Sequence, residues 1–308
     1  MGSLAVLGPG GVGGFLAAAL ARAGEDVVVI ARESTAAIIE RDGITVRSVR
    51  LGDFSAFPRA ASELDEPVDV LLVATKATGL DDALARVHTE PGLVVPLLNG
   101  LDHMSRLRAR FGDHRVAAGV IRIEANRPEP GQIVQTSPFL RVDLATDDPA
   151  LVPRVNAFAQ ALLNVEVPVL IGTSEAQILW SKLVRLNALA STTSAIDRSI
   201  GFIRSDPSWR ETLIACIHET AAVANADGAE IDPSDTLAEL DDAHAELGSS
   251  MQRDIAAACE PELDAIAGAV LRAGARHGIA CPTVERLAAM VADRAGIPPI
   301  GTWRSDAR

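Results

Sequence analysis

Gly8, Gly10 and Gly13 stand at the spacing G-x-G-x-x-G inside the run Gly8-Pro9-Gly10-Gly11-Val12-Gly13-Gly14. A loop of this kind binds a pyrophosphate. The first glycine permits a tight turn, the second lets phosphate approach the backbone, and the third lets the next helix pack closely on the preceding strand. Gly11 and Val12 complete the loop, whose main-chain N–H groups would receive phosphate oxygens at a helix N-terminus. A second candidate lies after Ile30-Ala31, where Arg32 occupies the place of the carboxylate that usually receives the ribose hydroxyls. A guanidinium there pairs with a 2′-phosphate that a carboxylate would repel, so the pattern predicts NADP(H) as cofactor. A solvated surface arginine beside Glu33 is the alternative.

The elements around these residues suit that task. Leu4–Leu7 is a short apolar run, residues 15–23 are alanine-rich and helical up to Gly24, and Val27–Ile30 is a second β-branched run, which together make one βαβ unit. Residues 68–74 and 93–98 are continuously apolar, as buried parallel strands are, with a helix expected over about 79–87. Residues 116–124, 132–135 and 140–144 are expected as antiparallel strands around a Pro/Gly turn at 127–131, extending the same sheet. From Thr173 onward the pattern turns helical, over 174–189, 208–226, 234–247, 262–277 and 283–295, with breaks at Asp206-Pro207, Asp232-Pro233, Gly248 and Cys281-Pro282. The expected division is an α/β domain over 1–170 and an all-α domain over 171–308.

Composition narrows the partners. With 28 basic against 41 acidic residues the net charge is −13, which opposes non-specific attraction to nucleic acid or an anionic membrane. No basic segment opens the chain and no apolar run reaches the ~18 residues of a membrane span, so a cytoplasmic protein is expected. Cys216, Cys259 and Cys281 are too far apart for a C-x-x-C motif and are expected as buried thiols in a reducing compartment. The histidines at 88, 103, 114, 218, 244 and 277 form no pair at helical metal-ligand spacing, and no metal is expected.

Five ordered marks carry a resemblance: the 8–13 loop with Arg32, Val73-Ala74-Thr75-Lys76-Ala77, Leu98-Asn99-Gly100, Trp180-Ser181-Lys182-Leu183, and Ser250-Met251-Gln252-Arg253-Asp254-Ile255 followed by Glu262. Across nearly its whole length the chain resembles the ketopantoate reductase (2-dehydropantoate 2-reductase) family. The resemblance implies a Rossmann-type dinucleotide-binding domain joined to an all-α domain like the C-terminal one of 6-phosphogluconate dehydrogenase. It also implies NADPH-dependent reduction of a 2-oxo acid, 2-dehydropantoate to pantoate, and a homodimer.

By the same resemblance Lys182 is the general acid that protonates the nascent alkoxide, a step that removal of its ammonium from water would ease. Glu262 orients substrate and assists the lysine, Ser250 binds the substrate carboxylate, Asn99 lies beside nicotinamide ribose and substrate, and Lys76 lies near the adenosine end of NADPH. Each has a plainer alternative in the sequence: an exposed helix lysine, a helix start at Pro261-Glu262, an N-cap at Ser249 or Ser250, an Asn-Gly turn, and a surface lysine. The match breaks where the family carries asparagines four and eight residues after the lysine. Leu186 and Ala190 stand there, with Asn187 a candidate substrate contact rotated by about 100° from the expected face. This departure keeps open a related dehydrogenase for another oxo acid, and a non-catalytic NADPH-binding sensor.

Overall fold

In the computed structural model, which describes residues 2–300, the chain divides into two units. One takes the chain to Leu98 and then His103–Ile178; the other takes Asn99–Asp102 and the chain from Leu179 on. The first begins with β1 (Leu4–Leu7), α1 (Gly11–Arg22), β2 (Val27–Ile30), α2 (Glu33–Asp42), β3 (Ile44–Ser48), β4 (Phe54–Ala56), β5 (Arg59–Ala61) and β6 (Val70–Val73). It continues through α3 (Leu80–Leu84), β7 (Leu93–Pro96), α4 (Asp102–Phe111), β8 (Ala118–Arg122), β9 (Ala125–Asn126), β10 (Gln132–Gln135), β11 (Arg141–Ala145), α5 (Val152–Asn164) and β12 (Val169–Ile171).

A five-stranded parallel sheet in the order β5-β2-β1-β6-β7 forms its centre. Strands β1, β2, β6 and β7 are buried along their whole length, which is why they show no alternation in sequence. Small alanines let α1 lie close against this sheet, and every residue from Gly13 to Leu20 is buried.

The later strands depart from the sequence expectation. They do not all extend one sheet: β8 and β11 pair antiparallel and take β12 alongside β11, whereas β10 runs parallel to β3 in a separate sheet ordered β4-β3-β10-β9. The 127–131 turn does reverse the chain, with Val134 opposite Asn126. Strand β3 alternates buried and exposed residues, the mark of a half-covered sheet, and Gln135 of β10 is buried because its side chain bonds Ser48 and Ser137.

Helix α6 (Glu175–Ile196) is longer than expected and is followed by α7 (Ile200–Ser205), α8 (Pro207–Ala226), α9 (Pro233–Asp242), α10 (Ser250–Ala256), α11 (Ala269–His277) and α12 (Pro282–Ala295). Asp206 and Asp232 cap α8 and α9 with proline at the next position, and Gly278 closes α11 in the left-handed conformation. The helix expected over 262–277 is not uniform: Asp264–Gly268 is a π-helical turn. The second unit packs Trp180, Leu183, Val184, Leu213, Ile217, Val270 and Leu287 in its interior. Cys216 and Cys281 are buried, but Cys259 is exposed, because it follows α10 in a short surface turn where Ala258 has positive φ. No described helix is long and apolar enough to cross a membrane.

Candidate functional site

The glycine loop leaves β1 at Gly8, whose φ of +93° is the reason for glycine there. A side chain on Gly13 would collide with the Gly8 carbonyl oxygen, and one on Gly11 with the Ala125 carbonyl oxygen, so these two are required by packing inside the protein. Gly10 differs: nothing lies within 4 Å of where its side chain would stand. It is the position open to an approaching group. Gly10 is the N-cap of α1, no side chain caps the helix, and its first turn holds no acidic residue. The first-turn N–H dipoles therefore meet no competing carboxylate, with half-buried Val12 beside them.

Thr75, one residue past Ala74, packs its methyl group against Gly8, and its hydroxyl oxygen is buried with no hydrogen-bond partner among the described residues. An orphaned hydroxyl beside an open glycine turn fits a polar ligand. Arg32 and Lys76 are both exposed, two and three residues past the ends of the buried strands β2 and β6. The Arg32 carbonyl accepts the first helical bond of α2 from Ala36 N at 2.9 Å, which fixes its main chain while its guanidinium faces solvent.

In the second unit Asn99 Nδ2 donates to Glu262 Oε2 at 2.8 Å. Gly100 makes this contact reachable. Its φ is +85°, and a side chain on it would strike the carbonyl oxygen of Ala265 in the π-helical turn. Arg272 joins the same elements: it donates to Asp102 Oδ2 through Nη2 at 2.6 Å, to Asp264 Oδ1 through Nη1 at 2.6 Å and to the Asp264 carbonyl at 2.9 Å. Burial works against the Arg272 charge, but its bonds to Asp264 and the Asp102 carboxylate outweigh it, so the guanidinium is held more firmly protonated than usual.

Lys182 is half-buried on α6, in a stretch where Trp180, Leu183 and Val184 are buried and the Trp180 indole N–H bonds Asp227 at 2.9 Å. Ser249, not Ser250, is the cap of α10: its Oγ accepts from Gln252 N at 3.1 Å and from Thr193 Oγ1 at 3.2 Å. Ser250 is exposed at the first helical position, so capping does not occupy its hydroxyl.

Family models for ketopantoate reductase PanE/ApbA match residues 4–145, and those for its C-terminal part match residues 176–295. The chain belongs to the ketopantoate reductase family. It is 29% identical over 303 residues to the 2-dehydropantoate 2-reductase of Caulobacter vibrioides, covering 94% of this chain and 98% of the relative. The solved 2-dehydropantoate 2-reductase of Geobacter metallireducens GS-15 superposes with a TM-score of 0.86 at 27% identity, over 94% of this chain and 99% of that one. A ternary structure of D-mandelate dehydrogenase with NADH and anilino(oxo)acetate shares the fold, with a TM-score of 0.87 at 20% identity over 96% and 98% of the two chains. This ketopantoate reductase family member is an oxidoreductase.

One candidate on the second unit is displaced from the role expected of it. Asn187 is fully buried and its amide is consumed internally: Nδ2 donates to Thr220 Oγ1 at 3.0 Å, and Oδ1 accepts from Ser191 Oγ at 3.1 Å. The face rotation from Lys182 carries it into the packing between α6 and α8 instead of toward a substrate. Sequence reasoning also passed over Thr75 as a site residue, and over Asp102 and Arg272 altogether. Asp102 looks like an ordinary first-turn acid of α4, and the usable signal was the opposite charge of Asp264 and Arg272 two turns apart on one helix. Among the described residues Glu63, Asp65 and His88 bring ligand atoms within 4.8 Å of one another, all exposed to water, which competes for any cation.

Proposed function

We propose that this family member reduces a 2-oxo acid to the 2-hydroxy acid with NADPH, the substrate being 2-dehydropantoate and the product pantoate, in pantothenate biosynthesis. The observation that carries the reading is the bond from Asn99 to Glu262, which gathers an amide and a carboxylate from positions 163 residues apart in the unit that also carries Lys182. In this reading residues 1–170 hold the nucleotide and 171–308 serve substrate and catalysis, as a cytoplasmic homodimer.

Bound NADPH would supply the hydride, held by Gly8, Gly10, Gly11, Val12 and Gly13 at the pyrophosphate, with Arg32 at the 2′-phosphate and Lys76 toward the adenosine. The Lys182 ammonium delivers a proton to the carbonyl oxygen as the carbon accepts the hydride, and its charge favours the oxygen anion that forms. Glu262 accepts one amide hydrogen of Asn99 and so fixes the direction of the other, which donates to the substrate. The Ser250 hydroxyl donates to the substrate carboxylate.

A second reading rests on Leu186 and Ala190. Both follow Lys182 on the same face of α6, but Ala190 is fully buried in the packing, so half-buried Leu186 is the one that presents hydrocarbon, where a hydroxyl-bearing substrate would find no partner. That favours a 2-oxo acid with an apolar side chain. Steady-state oxidation of NADPH and NADH against 2-dehydropantoate and a panel of 2-oxo and 3-oxo acids separates the readings. Turnover of 2-dehydropantoate that prefers NADPH supports the first, and turnover confined to apolar 2-oxo acids supports the second. NADPH binding with no turnover of any acid would replace both with a nucleotide sensor.

A further inference from the structure

We infer that Arg272 is a positioning residue: it holds the Asn99–Asp102 segment against the π-helical turn and thereby aims the Asn99 amide at Glu262. The inference rests on the reading of Asn99 and Glu262 as substrate-site residues.

The geometry is that of a clamp. Glu262 stands immediately before the helical stretch that contains the π turn Asp264–Gly268, and Asn99 stands immediately after the buried end of the β7 segment, with neither inside a regular element. A single hydrogen bond between two side chains would leave the relative position of their backbones loose. Arg272 joins those backbones at a second place. Its guanidinium takes Asp102, three residues beyond Asn99, and Asp264, two residues beyond Glu262, within one planar fork.

The π turn interrupts the regular i→i−4 ladder, and Arg272 Nη2 also takes the Asp264 carbonyl at 2.9 Å, so the clamp grips main chain as well as side chain. Gly100 completes it by allowing the loop to lie on the Ala265 carbonyl. Without the guanidinium, Asp102 and Asp264 would face each other as like charges, and the same loop that carries Asn99 would be pushed off the turn that follows Glu262. Arg272 thus acts on substrate only through the amide–carboxylate pair.

A double-mutant cycle on the full chain tests this, with kcat/KM for the best-used oxo acid of the panel and hydrogen exchange of the 98–104 backbone in the ligand-free protein as paired readouts. Arg272→Met is expected to lower kcat/KM about tenfold or more in the native background and to change it by less than about twofold when Asn99→Ala is already present, the non-additivity expected of residues acting as one unit. Exchange in 98–104 should accelerate while that of α6 is unchanged. If Arg272→Met unfolds the protein, Asp102→Asn weakens the loop side of the clamp alone and should give the same pattern. Additive losses, or unchanged exchange across 98–104, would overturn the inference while leaving the site reading intact. An Asn99→Ala variant with native kcat/KM would instead overturn the site reading, and the inference with it.

Discussion

The amide of Asn99 and the amide of Asn187 are chemically identical, and their surroundings leave one partly open and close the other. Asn99 spends one donor on Glu262 at 2.8 Å and is half-buried, whereas Asn187 spends both ends of its amide inside the helix packing and is fully buried. Asn187→Ala should therefore cost stability, about 1–3 kcal/mol in chemical denaturation from unpairing buried partners, while kcat/KM changes less than about threefold. A substrate contact would reverse that balance. The cysteines divide in the same way. Burial pushes the Cys216 thiol up to about 12 and Cys281 up to about 11, while Cys259 is exposed. A thiol reagent at mildly alkaline pH should titrate one cysteine in the native protein and three after denaturation; rapid labelling of Cys216 would contradict the packing of α8.

At the scale of elements, the glycine loop makes two different demands on one residue type. Gly13→Ala should destabilise by about 1–3 kcal/mol or more through collision with the Gly8 carbonyl. Gly10→Ala should hold stability within about 1 kcal/mol and weaken NADPH binding by about tenfold or more, measured by calorimetry; equal effects of the two on stability would remove Gly10 as the phosphate-facing position. Another element-level test concerns the junction of α4 and α6, where Glu175 is buried and paired with Arg108. Burial raises its carboxyl above the ordinary range, Arg108 pulling the other way. The folded state then retains a proton that the unfolded state has released, so this group's contribution to stability falls as pH rises from the unfolded value through the raised folded one. Relative to Glu175→Gln, the native protein should lose stability as pH rises above the ordinary carboxylate range, read from urea midpoints; a constant difference would contradict a raised carboxyl.

The βαβ start was legible because glycine spacing and continuous apolar runs are local signals, and Asp206-Pro207 and Asp232-Pro233 were legible as helix boundaries. The destination of β10 was not, since pairing with β3, 87 positions away in sequence, is decided by which strand edge remains open in the fold. The π turn and the Arg272 clamp were hidden for the same reason: they exist only once Asp102 and Asp264 are brought together by the fold. Lys182 and Glu262 could be named from the resemblance, but the Asn99–Glu262 bond exists only in the folded chain.

For the molecule as a whole, a net charge of −13 leaves local groups to do what a positive field would otherwise do for a phosphate-bearing ligand. In the proposed reading Arg32, Lys76 and the open end of α1 are such groups, and Lys182 of the second unit faces the oxo acid with Asn99 and Glu262. The account stands on whether the proton comes from Lys182. The most direct measurement is the rate of oxo-acid reduction at saturating NADPH in Lys182→Ala, with cofactor affinity measured on the same preparation. The account predicts a loss of about 10²–10⁴ in kcat with NADPH affinity and fold retained. Turnover within about tenfold of the native protein would contradict it and move the proton donor elsewhere.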